Sequence, residues 1–210
     1  MTSSQDTTEF VVRSIAEEAL ANEKYFGELD SVVGDGDFGY SLARGFEVVL
    51  SGWDGVDRSD PGIFLSKIAI IITSTIGGTS GPLWGTAFLR AGTQLTGLNE
   101  VTPANSIAAL RAAIEGIKHR GKSDVGDKTL LDALVPAVDA LENAFQAGDD
   151  AKTALGKMAT SARQAADATS LLQARRGRAS YTGERSIGSP DAGAIAIAVL
   201  AEHLARTWRT

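Results

Sequence analysis

Apolar residues recur at helical spacing along nearly the whole chain, and this periodicity limits the fold class more than any other feature. The Ile-rich stretch at 68–72 has strand propensity, but it joins longer periodic segments and has no second candidate strand to pair with. The pattern therefore predicts an all-α protein with eight helices. They lie at about 10–20, 40–53, 61–76, 82–97, 103–120, 128–148, 149–175 and 191–208.

The loops between these segments are mostly short, which indicates an antiparallel helical assembly. Because no Pro/Ser-rich linker divides the chain, we expect one domain over residues 1–210. Lys and Arg number 20 against 26 Asp and Glu, and a net charge of −6 argues against a nucleic-acid partner. There is no cysteine, no secretory leader pattern and no apolar run long enough for a bilayer, so we expect a cytoplasmic protein without membrane contact.

Glycines cluster at 34–39, 77–85, 121–126 and 177–193, all between predicted helices, as in a site assembled at helix ends. Asp30, Asp35 and Asp37 stand at the first cluster, and no Lys or Arg occurs between Lys24 and Arg44. Crowded carboxylates need a cation to stay ionised. Carboxylate oxygens suit Mg²⁺, which is usually shared with substrate phosphates. The alternative is a solvated loop in which Asp37 caps the next helix.

The other three glycine clusters each allow a binding and a structural interpretation. The loop "GGTSGPLWG" (77–85) is either an anion site at a helix N-terminus or a helix–helix turn. The loop "GKSDVGDKT" (121–129) nearly matches a P-loop, but Asp127 interrupts the motif and a helix stands where a strand belongs. Arginines at 175–185 suit phosphate oxygens, or they pair with acidic neighbours on the surface.

Taken together, these segments resemble the dihydroxyacetone kinase family, in its L subunit or equivalent nucleotide-binding domain. The matching stretches, in the family's order, are "GDGDFG" (34–39), "ARGF" (43–46), "GGTSGPLWGTAF" (77–88), "GDKTLLDALVPA" (126–137), "RRGRASYTGERSIG" (175–188) and "DAGA" (191–194). The resemblance implies an eight-helix antiparallel barrel with a nucleotide site at one rim. It also implies that Asp30, Asp35 and Asp37 hold two Mg²⁺ ions on the phosphates of ADP or ATP.

The same resemblance implies a set of residues around the nucleotide, with Arg178 as the catalytic residue. They are Phe38, Gly39, Tyr40, Ser41, Thr79, Ser80, Gly121, Leu130, Arg178, Asp191, Ala192 and Gly193. The chain departs from the family's usual His at Phe38, its Met at Leu130 and its Pro at Ala192. None of these departures removes a metal ligand.

The resemblance also implies partners. The first predicted helix begins within about ten residues of Met1, so we expect dihydroxyacetone to bind a separate K subunit. A phosphotransferase-system M subunit would rephosphorylate the resident ADP, whose γ-phosphoryl group then passes to the sugar. Alternatives are a kinase subunit for another three- or four-carbon keto-sugar, or a nucleotide-loaded regulatory protein, and a homodimer is left open.

Overall fold

The computed structural model describes residues 3–98 and 100–208, and every regular element within them is helical. The α-helices are α1 (Ser4–Ala21), α2 (Glu23–Ser31), α3 (Phe38–Ser51), α4 (Pro61–Thr75), α5 (Ser80–Leu95), α6 (Pro103–Gly121), α7 (Leu131–Gln146), α8 (Ala151–Ala168) and α9 (Ala192–Thr207). Short 3₁₀ turns occur at Trp53–Gly55, Thr169–Leu171 and Arg178–Ser186. The all-α prediction is confirmed, and the barrel arrangement stays a prediction.

Three elements differ from the sequence-based prediction. Helix α1 begins at Ser4, before the first apolar residue of the periodic pattern. Helix α2 was not predicted, because it has only nine residues, of which Phe26 alone is buried. Helix α8 ends at Ala168 rather than near Arg175. The Thr169 hydroxyl donates to the Ala166 carbonyl at 2.6 Å and accepts the Asp191 amide at 2.8 Å. A contact with a distant residue therefore fixes the end of α8.

Side-chain caps fix the starts of several helices. Asp60, Asp150 and Asp191 each accept a backbone N–H from the first turn of the helix that follows. Thr102 and Asn105 form a reciprocal capping box before α6. Such caps satisfy amides that have no partner inside the helix, so the chain enters these helices at defined residues. Among the described helices, none combines the length and the apolar character that a bilayer crossing requires.

The chain forms two compact units. The first contains residues up to Leu20 and the segment Ser41–Lys122. Within it, α4 packs on α5 and α5 packs on α6. Its core is aromatic: the Phe46 ring meets the rings of Trp84 and Phe88 edge-on, at centroid distances of 6.3 and 6.2 Å. Edge-to-face aromatic pairs of this kind add to the stabilisation from apolar burial.

The second unit contains residues Ala21–Tyr40 and the chain from Ser123 onward. Helix α9 packs on α2, α7 and α8, and all its residues from Ala194 to Leu200 are buried. A helix that is apolar on every side belongs in a core. Alanines on α8 and α9, such as Ala162 and Ala198, are fully buried and allow the helices to approach closely. This unit also contains Asp30, Asp35 and Asp37 and the 3₁₀ turn that carries Arg178.

Replacement of the Asp60 cap should destabilise the first unit. One Asp60 oxygen accepts from Ile63 N at 2.8 Å and the other from Gly97 N at 2.6 Å. We expect Asp60→Ala to lower the free energy of unfolding by about 1–2 kcal/mol, measured by urea denaturation. The exposed Asp54→Ala is the control and should lie close to wild type.

The loss of stability in Asp60→Ala should depend on pH. Desolvation raises the pKa of Asp60, but the hydrogen bonds from Gly97 and Ile63 outweigh it and leave the pKa below its usual value. The carboxylate therefore stabilises the fold above the unfolded-state pKa, and this contribution is lost as pH falls through the folded-state pKa. A deficit in Asp60→Ala that does not shrink in acid would contradict this assignment.

Candidate metal and phosphate site

Three carboxylates converge between α2 and α3. Asp30 lies at the end of α2, Asp35 lies in the connecting turn, and Asp37 directly precedes α3. Each offers one oxygen, and these three oxygens lie within 4.8 Å of one another. Asp30 is half-buried, whereas Asp35 and Asp37 are exposed. The cluster is therefore open to solvent on one side.

Glycines allow this convergence because the backbones approach too closely for a side chain. A Cβ atom on Gly39 would lie 2.0 Å from the Glu23 carbonyl oxygen, so only glycine lets the start of α3 meet the start of α2. A Cβ atom on Gly34 would lie 2.3 Å from Oδ1 of Asp30. The Phe38 amide donates to Oδ2 of Asp30 at 3.4 Å and links α3 to the cluster.

Arg178 supplies positive charge to this cluster. Its Nη1 pairs with Oδ2 of Asp35 and lies 3.7 Å from Oδ2 of Asp37. The guanidinium thus stands where a cation is electrostatically favoured. A donor set made only of carboxylate oxygens, exposed on one side, fits Mg²⁺, which binds a few carboxylates and completes its shell with water and phosphate. The predicted metal ligands and Arg178 are therefore brought together.

Lys128 organises the turn that carries Arg178, a role that the sequence analysis missed. Its side chain is only 2% exposed. Nζ donates to the carbonyl oxygens of Leu172 (3.1 Å), Ser186 and Ser189 (2.7 Å). The sequence gives no signal for this, since a lysine in a glycine-rich loop is usually exposed.

The predicted residues Leu130, Asp191 and Gly193 also meet. Asp191 caps α9 by accepting the Ala194 amide at 2.8 Å. A Cβ atom on Gly193 would lie 3.1 Å from Asp191 Oδ2 and 3.3 Å from Leu130 Cβ, so the start of α9 packs against the start of α7. Ala192 is the first residue of α9.

The remaining predicted nucleotide contacts lie at helix ends. Phe38, Gly39, Tyr40 and Ser41 form the first turn of α3. In the first unit, Thr79 and Ser80 stand at the start of α5, and Gly121 ends α6. Contact of these residues with a nucleotide stays a prediction.

The Asp191 carboxyl should make the stability of the ligand-free protein depend on pH. Desolvation is the main cause that raises the pKa of Asp191 to about 7, and the negative charges of Asp132 and Asp30 act in the same direction. The hydrogen bond from the Ala194 amide and the positive charge of Lys128 lower this pKa. Because this pKa exceeds its unfolded value, the folded state binds the extra proton, and stability falls as pH rises from about 4 to 7.

Asp191→Asn keeps an acceptor for the Ala194 amide but cannot ionise. We expect the wild type to lose stability relative to this variant between pH 4.5 and 7.5, in urea titrations with EDTA present. Parallel pH profiles for the two proteins would show that Asp191 has an ordinary pKa.

This chain is similar to known proteins in sequence and in fold. A model of the DAK2 domain family matches residues 32–206. The PEP-dependent dihydroxyacetone kinase, ADP-binding subunit DhaL, of Escherichia coli K12 is 36% identical over 182 residues, which cover 87% of each chain. The L-erythrulose 1-kinase of Mycolicibacterium smegmatis is 35% identical over 93% of this chain, which spans 35% of that protein.

A solved structure has the same fold. The dihydroxyacetone kinase from C. freundii in complex with AMP-PNP and Mg²⁺ superposes with a TM-score of 0.75 at 26% identity. The match covers 94% of this chain and 33% of that one. On the extent of the family match and the identity to a relative of similar length, which is named as an ADP-binding subunit of dihydroxyacetone kinase, the chain belongs to the DAK2 domain family.

Proposed function

We propose that this chain is the nucleotide-binding subunit of a dihydroxyacetone kinase. It holds ADP or ATP with two Mg²⁺ ions, and the γ-phosphoryl group passes to dihydroxyacetone on a separate K subunit. The observation that carries the proposal is the meeting of Asp30, Asp35 and Asp37 with Arg178. This arrangement occurs in a chain similar over 87% of both lengths to a protein named as an ADP-binding kinase subunit.

The three carboxylates are the proposed Mg²⁺ ligands. When bound, Mg²⁺ offsets negative charge on the phosphate oxygens around the transferred group. Asp30 is held by α2 and by the Phe38 amide, so the cluster is positioned by two helices. Such positioning matters because phosphoryl transfer depends on alignment and charge more than on covalent chemistry.

Arg178 is the proposed catalytic residue. It already lies at the carboxylates, and a guanidinium donates well to phosphate oxygens. With the carboxylates holding metal, the Arg178 guanidinium would be free to leave Asp35 and donate to a phosphate oxygen. Its exposed position allows that change.

Within the second unit, the nucleotide is proposed to lie against the starts of α3 and α9, at Phe38 and Ala192. Amides at helix N-termini have no partner inside the helix and favour anions such as phosphates.

The names of the relatives support the proposed partners. The E. coli relative is named PEP-dependent, so we propose that a phosphotransferase-system M subunit recharges the bound ADP in the cytoplasm. L-erythrulose is a second candidate substrate, since a kinase of that name is 35% identical. The K subunit would select the sugar, because apart from Lys122 and Lys128 the glycine loops offer no Lys, His or Cys as a base or covalent anchor for a sugar.

A reconstitution tests the proposal. The purified chain with dihydroxyacetone and Mg-ATP should give background phosphorylation only. Adding the K subunit should allow transfer of the bound γ-phosphoryl group, and sustained turnover should need the M subunit and phosphoenolpyruvate. In the full system, Asp35→Asn should lower the rate by roughly a hundred-fold or more, because it weakens charge compensation at the phosphates.

Asp54→Asn is the matched control, since it removes an exposed carboxylate in the first unit and should keep the wild-type rate. Full activity of Asp35→Asn would refute the metal assignment. Multiple turnovers by this chain alone would refute the subunit assignment. A faster rate with L-erythrulose would identify the second candidate as the substrate.

A further inference from the structure

Lys128 contacts both ends of the turn that carries Arg178. Leu172 is the first residue of this turn, and Ser186 and Ser189 lie at its end, so a single ammonium group joins segments up to 17 residues apart. An ammonium has three N–H donors, and here each has a carbonyl acceptor. We call residues 172–189 the arginine turn.

Neighbouring contacts fix the same turn. The Arg175 amide donates to the Asp127 carbonyl at 3.0 Å, and Arg176 pairs with the Asp127 carboxylate at 3.1 Å. The buried Ser186 hydroxyl accepts the Ala174 amide at 2.8 Å and thereby links the two ends of the turn. The arginine turn is therefore attached to residues 127 and 128.

Lys128 occupies its position at two energetic costs. A buried ammonium loses hydration, and this desolvation lowers the pKa of Lys128, while the nearby Asp191 carboxylate raises it. Its φ of 61° also lies in the left-handed region, which is unfavourable for a residue with a side chain. Residues that persist at such cost are concentrated at functional sites.

We propose that Lys128 is a positioning residue for phosphoryl transfer, which fixes the arginine turn so that Arg178 faces Asp35 and Asp37. Lys128 itself contacts neither the carboxylate oxygens of Asp35 and Asp37 nor, on this proposal, the substrate. Its effect passes through the backbone carbonyls that it binds on either side of Arg178.

Limited trypsin digestion tests the positioning directly. Arg175, Arg176 and Arg178 are exposed cleavage sites within the turn. In Lys128→Met, which keeps the side-chain length but not the donors, we expect cleavage in the turn about ten-fold faster than in wild type, because local opening costs less. Cleavage elsewhere and the circular dichroism spectrum should be unchanged.

Lys152→Met is the matched control, since it removes an exposed lysine on α8 and should be cut in the turn at the wild-type rate. If Lys128→Met does not fold, Lys128→Gln replaces it. Glutamine keeps two N–H donors, and its cleavage rate in the turn should lie above that of wild type. Wild-type cleavage rates in the folded Lys128 variant would overturn the proposal.

A double-mutant cycle separates positioning from general destabilisation, and this part rests on the function proposed above. In the reconstituted system Lys128→Met should lower kcat by about ten-fold, with a smaller change in the nucleotide KM. When Lys128→Met is added to Arg178→Gln, kcat should fall little further than in Arg178→Gln alone. Additive losses would overturn the proposal. If the wild-type system shows no transfer, the proposed function fails, and the trypsin result still decides the role of Lys128.

Discussion

Repulsion among three carboxylates is the constraint that the site must satisfy. Oxygens of Asp30, Asp35 and Asp37 held within 4.8 Å of one another favour any cation that reaches them. The chain brings Arg178 to this position through a turn far along the sequence. On the proposed function, metal bound to the carboxylates would leave this exposed guanidinium to donate to phosphate.

Other contacts in the second unit position the carboxylates and the turn that carries Arg178. Close glycine contacts let α3 begin against α2, so the carboxylates converge, and Lys128 secures the turn that carries Arg178. Lys128 and the Asp191 carboxylate, the cap of α9, carry opposite charges, and each shifts the pKa of the other toward its charged form.

Local features of the sequence predicted the fold class and the carboxylate cluster. The features that the sequence did not predict depend on contacts between residues far apart in the chain. Helical periodicity gave the all-α class, and the absence of a nearby cation indicated Asp30, Asp35 and Asp37 as one cluster. The end of α8 depends on a bond between Thr169 and Asp191, 22 residues apart. The burial of Lys128 depends on carbonyls 44 to 61 residues away, which no local pattern records.

The joint dependence of stability on metal and nucleotide tests the central claim most directly. Thermal unfolding is compared for the protein alone, with Mg²⁺, with ADP and EDTA, and with ADP and Mg²⁺. A ligand that binds only the folded state stabilises it by about 2.7 kcal/mol at a hundred times its Kd. We predict that Mg-ADP raises Tm by more than the two separate shifts together. An equal shift for ADP with EDTA and ADP with Mg²⁺ would contradict a metal-bridged phosphate site.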